Sequence, residues 1–548
     1  MTKPLLTIKD LSVLLPEGAD RTFAIEDVNL TLKAGETLCV VGESGSGKSL
    51  TAKAIMGLLP APHVKVTSGS INFEEEDLVK VSYERLRQIR GSEISMIFQE
   101  PMTALNPVMS IGNQIDEIFR YHISMSKSQR QEKAIQLLKD VNLPDPNQIM
   151  STFPHELSGG QRQRAMIAMA LALSPKILIA DEPTTALDVT TQAQILKLIK
   201  EMQSAYNSAV LFITHDFGVV ADIADRVAVM QEGLIVESGT VDKVLNKPSH
   251  PYTKSLIAAV PSLIPRAPRK KSDGNVIKVS KLNKIFGGQK GFLGFGKSKR
   301  TVNAVQNVSL DLFQGETLGI VGESGSGKST LARCIIRLMD YDSGEVSLDG
   351  VDISKMGRAE MRPLRAKMQM VFQDPFASLN PRIRIGDIIA QGPLVQGKSK
   401  SEADKRAREL LSIVGLDDKA FKRFPHEFSG GQRQRIGIAR ALALKPEVLV
   451  ADEPVSALDV SIQAQILKLL DDIRIQMNLS MIFITHDLRV AAQVCDRLVV
   501  MRYGEIVEVG TTSGIFGRPT HEYTKELLNA VPGKGWEKKI KNGKATKR

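Results

Sequence analysis

Two identical stretches of the chain have the residue types and spacing that bind phosphate groups. The first runs Gly42-Glu-Ser-Gly-Ser-Gly-Lys-Ser49, and the same residues recur from Gly322 to Ser329. Glycines at these positions let backbone N–H groups turn towards phosphate oxygens, and a helix that begins at the lysine adds its positive N-terminus. Each stretch follows an apolar run that predicts a buried strand, Thr37–Val41 or Thr317–Val321. A strand, a glycine-rich turn and a helix in that order predict a phosphate-binding loop in each copy.

The last two residues of each loop have separate predicted tasks. We expect the ammonium groups of Lys48 and Lys328 to reach the β- and γ-phosphates of a nucleotide. The hydroxyl groups of Ser49 and Ser329 are expected to bind Mg²⁺. One chance match to this pattern is conceivable, but two matches that both follow predicted strands make chance a poor explanation.

A pair of acidic residues closes another apolar strand in each copy. Ile177-Leu-Ile-Ala leads into Asp181 and Glu182, and the pair recurs as Asp452 and Glu453. Sites of α/β proteins lie at the carboxyl ends of such strands. The aspartates suit Mg²⁺ binding, and the glutamates suit the activation or orientation of an attacking water. Taken alone, an acid pair at the end of a strand has a structural role as often as a chemical one. The neighbouring phosphate loop favours the chemical role here.

A second candidate anion site precedes a helix-forming stretch in each copy. Its serine is a good N-cap, and its glycine pair exposes unpaired N–H groups at the start of the helix. The residues are Ser158, Gly159, Gly160 and Gln161 in the first copy and Ser429, Gly430, Gly431 and Gln432 in the second.

The sequence contains two copies of one kind of domain in tandem. Five motifs recur in the same order at offsets that shrink from 280 to 271 residues, which is what trimming of loops produces. Strands that alternate with helices predict an α/β fold, with a helical subdomain near 110–150 and 385–425. The predicted organisation is a first domain at 1–262, a proline-rich and basic linker at 263–275, a second domain at 276–532 and a basic tail at 533–548.

Composition excludes several classes of protein. The net charge is +11, but segments 266–300 and 533–548 carry the excess, and the rest of the chain is mildly acidic. The simpler interpretation is that these basic segments are only exposed to water. The alternative is that they are attracted to anionic lipid. The three cysteines have no paired spacing, so neither a disulfide framework nor a cysteine metal site is predicted. The chain also lacks a run of about 18 apolar residues, so we expect an intracellular protein that does not span the membrane.

These motifs, together with a Gln after an apolar strand, Ala186-Leu-Asp188 and a strand that ends in His215, resemble the nucleotide-binding domains of ABC ATPases. The resemblance covers essentially the whole chain, twice. It implies two tandem P-loop NTPase domains, each with a RecA-like core, a β-subdomain and a helical subdomain, and it implies ATP and Mg²⁺ as cofactors. In this family each ATP is held between the phosphate loop of one domain and the signature motif of the other. Lys48 would then share one ATP with Ser429–Gly431, and Lys328 would share the other with Ser158–Gly160.

The resemblance also assigns roles residue by residue. Contact with ATP is implied for Gly42, Glu43, Ser44, Gly45, Ser46, Gly47, Lys48, Ser49, Ser158, Gly159, Gly160 and Gln161, and for Gly322, Glu323, Ser324, Gly325, Ser326, Gly327, Lys328, Ser329, Ser429, Gly430, Gly431 and Gln432. Mg²⁺ is implied at Ser49, Gln99 and Asp181 and at Ser329, Gln373 and Asp452. The implied catalytic residues are Glu182 and His215, and Glu453 and His486. Both sites therefore retain every expected residue. Phe23 is the candidate for stacking on adenine in the first copy, and the sequence does not identify its counterpart.

Two further features of the sequence indicate which group of ABC ATPases the chain resembles. The glutamine segments continue to Leu-Asn-Pro, and each copy ends in a matched coda, Ser249-His-Pro-Tyr252 or Thr520-His-Glu-Tyr523, before Ala-Val-Pro. They resemble the ATP-binding subunits of dipeptide, oligopeptide and nickel importers, in a fused form like that of glutathione-type and microcin-type peptide uptake. The cysteine-rich tail of some oligopeptide ATPases is missing, so no iron–sulfur cofactor is predicted.

The implied partners are two membrane-spanning permease subunits at the cytoplasmic face of the bacterial inner membrane, supplied by an extracytoplasmic solute-binding protein. No nucleic-acid partner is predicted. The alternatives are an importer ATPase for nickel, opines or sugars and, more distantly, a tandem ABC ATPase that acts on ribosomes. The proline-rich joint is too short for the helical arm of that last class.

Overall fold

The computed structural model describes residues 3–185, 187–267, 269, 274–287, 301–456 and 458–536. The chain forms two compact units. The first comprises the described residues up to Leu187, Thr191–Val260 and the residues from Pro532 onward, and the second comprises Asp188–Thr190 and Pro261–Val531. The domain boundaries given above stay predictions. Ala186 of the Ala-Leu-Asp motif, residues 268 and 270–273 of the predicted linker and residues 537–548 of the predicted tail lie outside the described residues.

The strands and helices of the first copy follow the predicted alternation. The strands are β1 Leu6–Leu14, β2 Phe23–Leu32, β3 Thr37–Val41, β4 Lys65–Phe73, β5 Glu76–Asp77, β6 Ile94–Ile97, β7 Ile177–Asp181, β8 Ala209–Thr214, β9 Arg226–Gln231 and β10 Leu234–Thr240. The helices are α1 Lys48–Ile55, α2 Tyr83–Ile89, α3 Pro101–Ala104, α4 Ile111–His122, α5 Lys127–Asp140, α6 Pro146–Ile149, α7 Gly159–Leu171, α8 Val189–Tyr206, α9 Phe217–Ile223, α10 Val241–Asn246 and α11 Pro251–Ala259. A short 3₁₀ helix lies at Pro154–Glu156.

A six-stranded sheet, in the order β10-β9-β3-β8-β7-β6, forms the centre of the first unit. Every residue of β3, β7 and β8 is buried, as expected for parallel strands that are covered on both faces. Alternate residues serve different cores: Leu38 and Val40 pack with the antiparallel sheet β2-β1-β4-β5, and Cys39 and Val41 pack with the helices. The parallel register pairs Val41 with Thr214, so these two strands end at the same edge.

The helical region of the first unit has well-defined helix starts. Ser110, Ser126 and Ser158 cap α4, α5 and α7, and each side chain accepts the N–H of the residue three positions ahead. Fully buried Phe119 of α4 lies in the core that these helices share with the central sheet. The phosphate-loop residues and the Ser158 motif are thus carried by separate parts of the unit.

The second copy repeats the design. Its strands are β11 Asn275–Phe286, β12 Val302–Phe313, β13 Thr317–Val321, β14 Ser343–Leu348, β15 Val351–Asp352, β16 Met368–Val371, β17 Val448–Asp452, β18 Ser480–Thr485, β19 Arg497–Arg502 and β20 Glu505–Thr511. Its helices are α12 Lys328–Ile335, α13 Arg358–Lys367, α14 Pro375–Ser378, α15 Ile385–Val395, α16 Lys400–Ile413, α17 Gly430–Leu442, α18 Val460–Met477, α19 Leu488–Val494, α20 Thr512–Gly517 and α21 Glu522–Asn529, with 3₁₀ turns at Asp418–Lys422 and Pro425–Glu427. The central sheet runs β16-β17-β18-β13-β19-β20, and the antiparallel sheet runs β12-β11-β14-β15. The prediction of two tandem domains of the α/β class is confirmed.

Each unit also includes a short segment outside the helices and strands named above, and hydrogen bonds attach it to the rest of the unit. In the first unit, the Gly533 N–H donates to Asp222 Oδ2 at 2.9 Å, and the Trp536 indole N–H donates to Asn246 Oδ1 at 2.9 Å. In the second unit, Gln493 Nε2 donates to the Ser262 carbonyl at 2.9 Å. Across the part of the chain that the structure describes, no helix combines the length and hydropathy needed to cross a membrane.

Candidate functional site

The phosphate loop of the first unit depends on glycine at two positions of close approach. Gly42 and Gly47 have positive φ, at 157° and 105°. A Cβ on Gly42 would lie 2.2 Å from the Met230 carbonyl oxygen, and one on Gly47 would lie 2.7 Å from the Ala24 carbonyl oxygen. The loop is therefore pressed between β2 and β9, and no larger residue fits without moving backbone.

The lysine of each loop is buried inside the loop's own curve. Lys48 Nζ donates to the carbonyls of Gly42 and Glu43, both at 2.8 Å. Lys328 Nζ makes the same two bonds in the second unit, at 2.9 and 2.7 Å. Burial lowers the pKa of Lys328, while Glu453 and other nearby acids oppose that shift. These carbonyl groups hold the ammonium group at a fixed place within the loop.

The loop serine and the strand-end aspartate meet in both units. Ser49 Oγ donates to Asp181 Oδ1 at 2.8 Å, and Ser329 Oγ donates to Asp452 Oδ1 at 2.8 Å. Burial raises the pKa of both aspartates above the ordinary value, although the serine hydrogen bonds act in the opposite direction. Asp452 Oδ2 is buried and has no hydrogen-bond partner among the residues described.

This arrangement fits Mg²⁺. A hydroxyl oxygen, a carboxylate oxygen and a nearby glutamine amide are hard oxygen donors, and a cation would compensate the buried aspartate. No group of three or more His, Cys, Asp or Glu side chains suited to a metal occurs in the described part of the chain. Mg²⁺ commonly takes one or two protein ligands and completes its shell with water and phosphate oxygens, so this sparse set suffices.

Glu182 is the centre of a cluster at the end of β7. Its Oε2 accepts Gln99 Nε2 and Thr185 Oγ1, each at 2.9 Å, and its Oε1 lies 3.4 Å from His215 Nδ1. The backbone at Glu182 has φ of 46°, a strained value for a residue other than glycine, and its N–H donates to the Ile213 carbonyl at 3.0 Å. The structure thus brings together Gln99, Glu182 and His215, three residues that are far apart in sequence.

The electrostatics keep this glutamate ionised. Burial alone would raise the pKa of Glu182, but its hydrogen bond and charge interaction with His215, helped by Thr185 and Lys48, lower it to about 2. At neutral pH the carboxylate only accepts hydrogen bonds, which suits it to orient an attacking water.

The second unit has the same cluster. Gln373 Nε2 donates to Glu453 Oε2 at 2.9 Å, and His486 Nδ1 lies 3.2 Å from the same oxygen. Glu453 also has positive φ, at 45°. Burial opposes both charges, yet the pair lowers the pKa of Glu453 and raises the pKa of His486. Neither unit has lost a member of the cluster.

The signature residues lie where the sequence predicts them, at helix starts. In the first unit, Ser158 Oγ accepts the Gln161 N–H at 3.3 Å, and Gln161 Oε1 accepts the Ser158 N–H at 2.9 Å. The second unit repeats this capping box with Ser429 and Gln432. A Cβ on Gly159 would meet nothing within 4 Å, so the helix start is open to an incoming group.

Sequence reasoning did not identify two features of the site, the contact of the coda tyrosines and the second-copy counterpart of Phe23. The coda tyrosines reach the phosphate loops: Tyr252 Oη accepts the Glu43 N–H at 3.2 Å, and Tyr523 Oη accepts the Glu323 N–H at 3.0 Å. The repeated coda was the available signal, but nothing in it indicates where its tyrosine points. Phe23, the adenine candidate, is half-buried at the start of β2, and the offset of 280 places Asn303 at its counterpart.

Known protein families and proteins match this chain over most of its length. The family model described as "ABC transporter" matches residues 25–185 and 305–456, and "Oligopeptide/dipeptide transporter, C-terminal region" matches residues 236–292 and 507–547. The Peptidoglycan transport ATP-binding protein YejF of Agrobacterium fabrum is 46% identical over 97% of this chain and 97% of its own length. The Glutathione import ATP-binding protein GsiA of Salmonella typhimurium is 45% identical over 97% of this chain and 90% of its own length.

A solved dimeric ATP-binding cassette bound to ADP and Pi is 29% identical, with a TM-score of 0.39, over 43% of this chain and 98% of its own length. The matched regions of the family model contain the phosphate loop, the glutamine and the acid pair of both units. The chain belongs to the ABC transporter family, as an ATPase with two ATP-binding domains in one polypeptide.

Proposed function

We propose that this chain hydrolyses ATP at two working sites to drive the import of peptides through a membrane transporter. The observation that carries the proposal is the intact cluster of glutamine, glutamate and histidine in both units, which neither copy has lost. The substrate class is inferred from two observations. Among the relatives, YejF is named for peptidoglycan transport and GsiA for glutathione import. The oligopeptide/dipeptide C-terminal region also follows each ATPase domain.

The residues divide the work of phosphoryl transfer. Lys48 and the loop N–H groups bind the phosphates and meet the charge that develops on the transferred group. Glu182 orients the attacking water, and His215 holds that water and the γ-phosphate. Mg²⁺, held by Ser49 and Asp181 near Gln99, would supply charge neutralisation between the phosphates. The second unit performs the same steps with its equivalent residues.

The completion of each site by the signature motif of the other domain remains a prediction from the family resemblance. The same holds for the wider assembly. We infer two permease subunits as membrane partners, an extracytoplasmic solute-binding protein as the source of substrate, and the cytoplasmic face of the membrane as the location. The basic segments are proposed to add attraction to anionic lipid.

A pull-down of the tagged full-length chain from its native membrane, in mild detergent, tests this assignment. Recovery of two different permease subunits supports it, and the companion binding protein is then titrated with dipeptides, longer peptides, glutathione, nickel and sugars. Binding of peptides or glutathione supports the substrate class, whereas exclusive binding of nickel or a sugar replaces it. Recovery of ribosomes without any permease overturns the transport role.

A further inference from the structure

The coda of each copy connects the last strand of the central sheet to the phosphate loop. On the strand side, the Glu237 carboxylate of β10 accepts the Ser249 N–H at 2.8 Å, the Ser249 hydroxyl at 2.7 Å and the His250 N–H at 3.1 Å. Burial alone would raise the pKa of Glu237, but the hydrogen bonds from Ser249 and His250 lower it to about 2. The anchor is therefore a charged group that is fully engaged at neutral pH.

The second unit builds the same anchor from different residues. The Glu508 carboxylate of β20 accepts the Thr520 N–H and hydroxyl, both at 2.9 Å, and the His521 N–H at 3.1 Å. Threonine replaces serine, and Glu522 stands where the first copy has Pro251, yet all three bonds to the anchor carboxylate are kept. The arrangement is thus a property of the fold rather than of one copy.

The histidine then caps the start of the helix that carries the tyrosine. His250 Nδ1 accepts the Tyr252 N–H at 3.3 Å at the start of α11, and His521 Nδ1 accepts the Tyr523 N–H at 3.1 Å at the start of α21. The Tyr523 side chain is only 1% exposed. The Arg502 guanidinium carbon lies over its ring, 4.5 Å from the ring centroid, and this contact helps to hold the ring.

The hydroxyl meets the phosphate loop at the residue that the lysine also holds. Tyr252 Oη accepts the Glu43 N–H at 3.2 Å and donates to the Glu43 carboxylate at 3.3 Å. The carbonyl of the same Glu43 accepts Lys48 Nζ at 2.8 Å. A continuous series of hydrogen bonds therefore runs from β10 through the coda to the lysine that binds phosphate.

We propose that Tyr252 and Tyr523 are positioning residues that hold each phosphate loop in its nucleotide-binding shape. The coda thereby gives the C-terminal region of each copy a direct connection to nucleotide affinity. The proposal rests on nucleotide binding by these loops, and it is independent of which solute the transporter carries.

The test compares Tyr252→Phe, Tyr523→Phe and the double variant in the full chain without permeases. Each substitution removes one oxygen and keeps the ring, so the Glu43 or Glu323 N–H loses its acceptor. Titration with trinitrophenyl-ATP is expected to show about fivefold weaker binding at the altered site, the effect of one lost hydrogen bond. Tyr341→Phe is the matched control, because the Tyr341 hydroxyl is buried without a hydrogen-bond partner among the described residues.

Retention of wild-type nucleotide affinity by the double variant would overturn the proposal, even if its melting temperature fell. An equal loss of affinity in Tyr341→Phe would also overturn it, because the effect would then not come from the loop contact. Ser249→Ala is a second variant that weakens the anchor and keeps the tyrosine. It is expected to give a smaller loss, and an unchanged affinity would contradict the proposed connection to the strand. Because no permease is present, these results are separate from the pull-down.

Discussion

Replacement of Glu182 by glutamine is expected to stop hydrolysis in the first unit while ATP binding persists. The side chain is 11% exposed, and two of its three hydrogen-bond partners, Gln99 and Thr185, donate to Oε2, while His215 faces Oε1. A glutamine amide oxygen placed there keeps both bonds, and its NH₂ group then faces His215 Nδ1. Shape and packing are preserved, and the negative charge is what changes.

The size of the effect follows from the role of the lost group. Loss of a positioned acid–base group lowers a rate by about 10²- to 10⁴-fold, or roughly 3 to 5 kcal/mol in activation free energy. Phosphate release by the Glu182→Gln, Glu453→Gln double variant at saturating MgATP measures the full effect, with trinitrophenyl-ATP titration in parallel. Each single variant is expected to lose the contribution of its own site to phosphate release and to bind the nucleotide normally. Glu75→Gln, at a side chain that is 84% exposed, is the control and should match the wild type.

Full activity in either single variant would refute the claim of two working sites. A parallel loss of nucleotide binding would refute the assignment of these glutamates to the chemical step, because the substitution would then have damaged the binding site itself.

Three further predictions concern the loop, the cation and the anchor. Gly42→Ala places a Cβ 2.2 Å from the Met230 carbonyl oxygen, so trinitrophenyl-ATP binding at the first site should be lost, and normal binding would show that the loop can move. Ser329→Ala removes the bond to Asp452, and the Mg²⁺ concentration for half-maximal phosphate release should rise about tenfold; an unchanged requirement would place Mg²⁺ elsewhere. Glu237 has a pKa lowered to about 2, so its stabilisation is complete above the unfolded pKa near 4.5 and is lost as pH falls towards 2. Between pH 6 and pH 3 the unfolding free energy of the wild type should therefore fall by about 2 kcal/mol more than that of Glu237→Gln. Urea titrations that show the same fall in both proteins would contradict this.

The site could be predicted from the sequence wherever its residues stand at the ends of parallel strands. Ser49 follows β3 through the glycine turn, and Asp181 ends β7, so the meeting of these residues follows from the geometry of the sheet. The register of β3 with β8 likewise brings His215 to the same edge.

Contacts between distant loops could not be predicted in this way. The bond between Tyr252 and Glu43 joins residues 209 positions apart, and neither motif carries information about the direction of the other. The Trp536 contact is similar: composition marks the surrounding tail as basic and solvated, but one indole ring in it packs into the apolar core of the first unit. In the second copy, the strand register agrees with the sequence offset: Asn303 pairs with Ile285 of β11 as Phe23 pairs with Leu14 of β1.

The central claim is that ATP hydrolysis by this chain powers peptide import. The most direct measurement is uptake of a labelled peptide by liposomes that contain the chain with its recovered permeases and binding protein. The account predicts accumulation that requires MgATP, stimulation of phosphate release by the peptide-loaded binding protein, and loss of both effects in the Glu182→Gln, Glu453→Gln double variant. ATP hydrolysis that proceeds without any peptide accumulation, and that the loaded binding protein leaves unchanged, would contradict it.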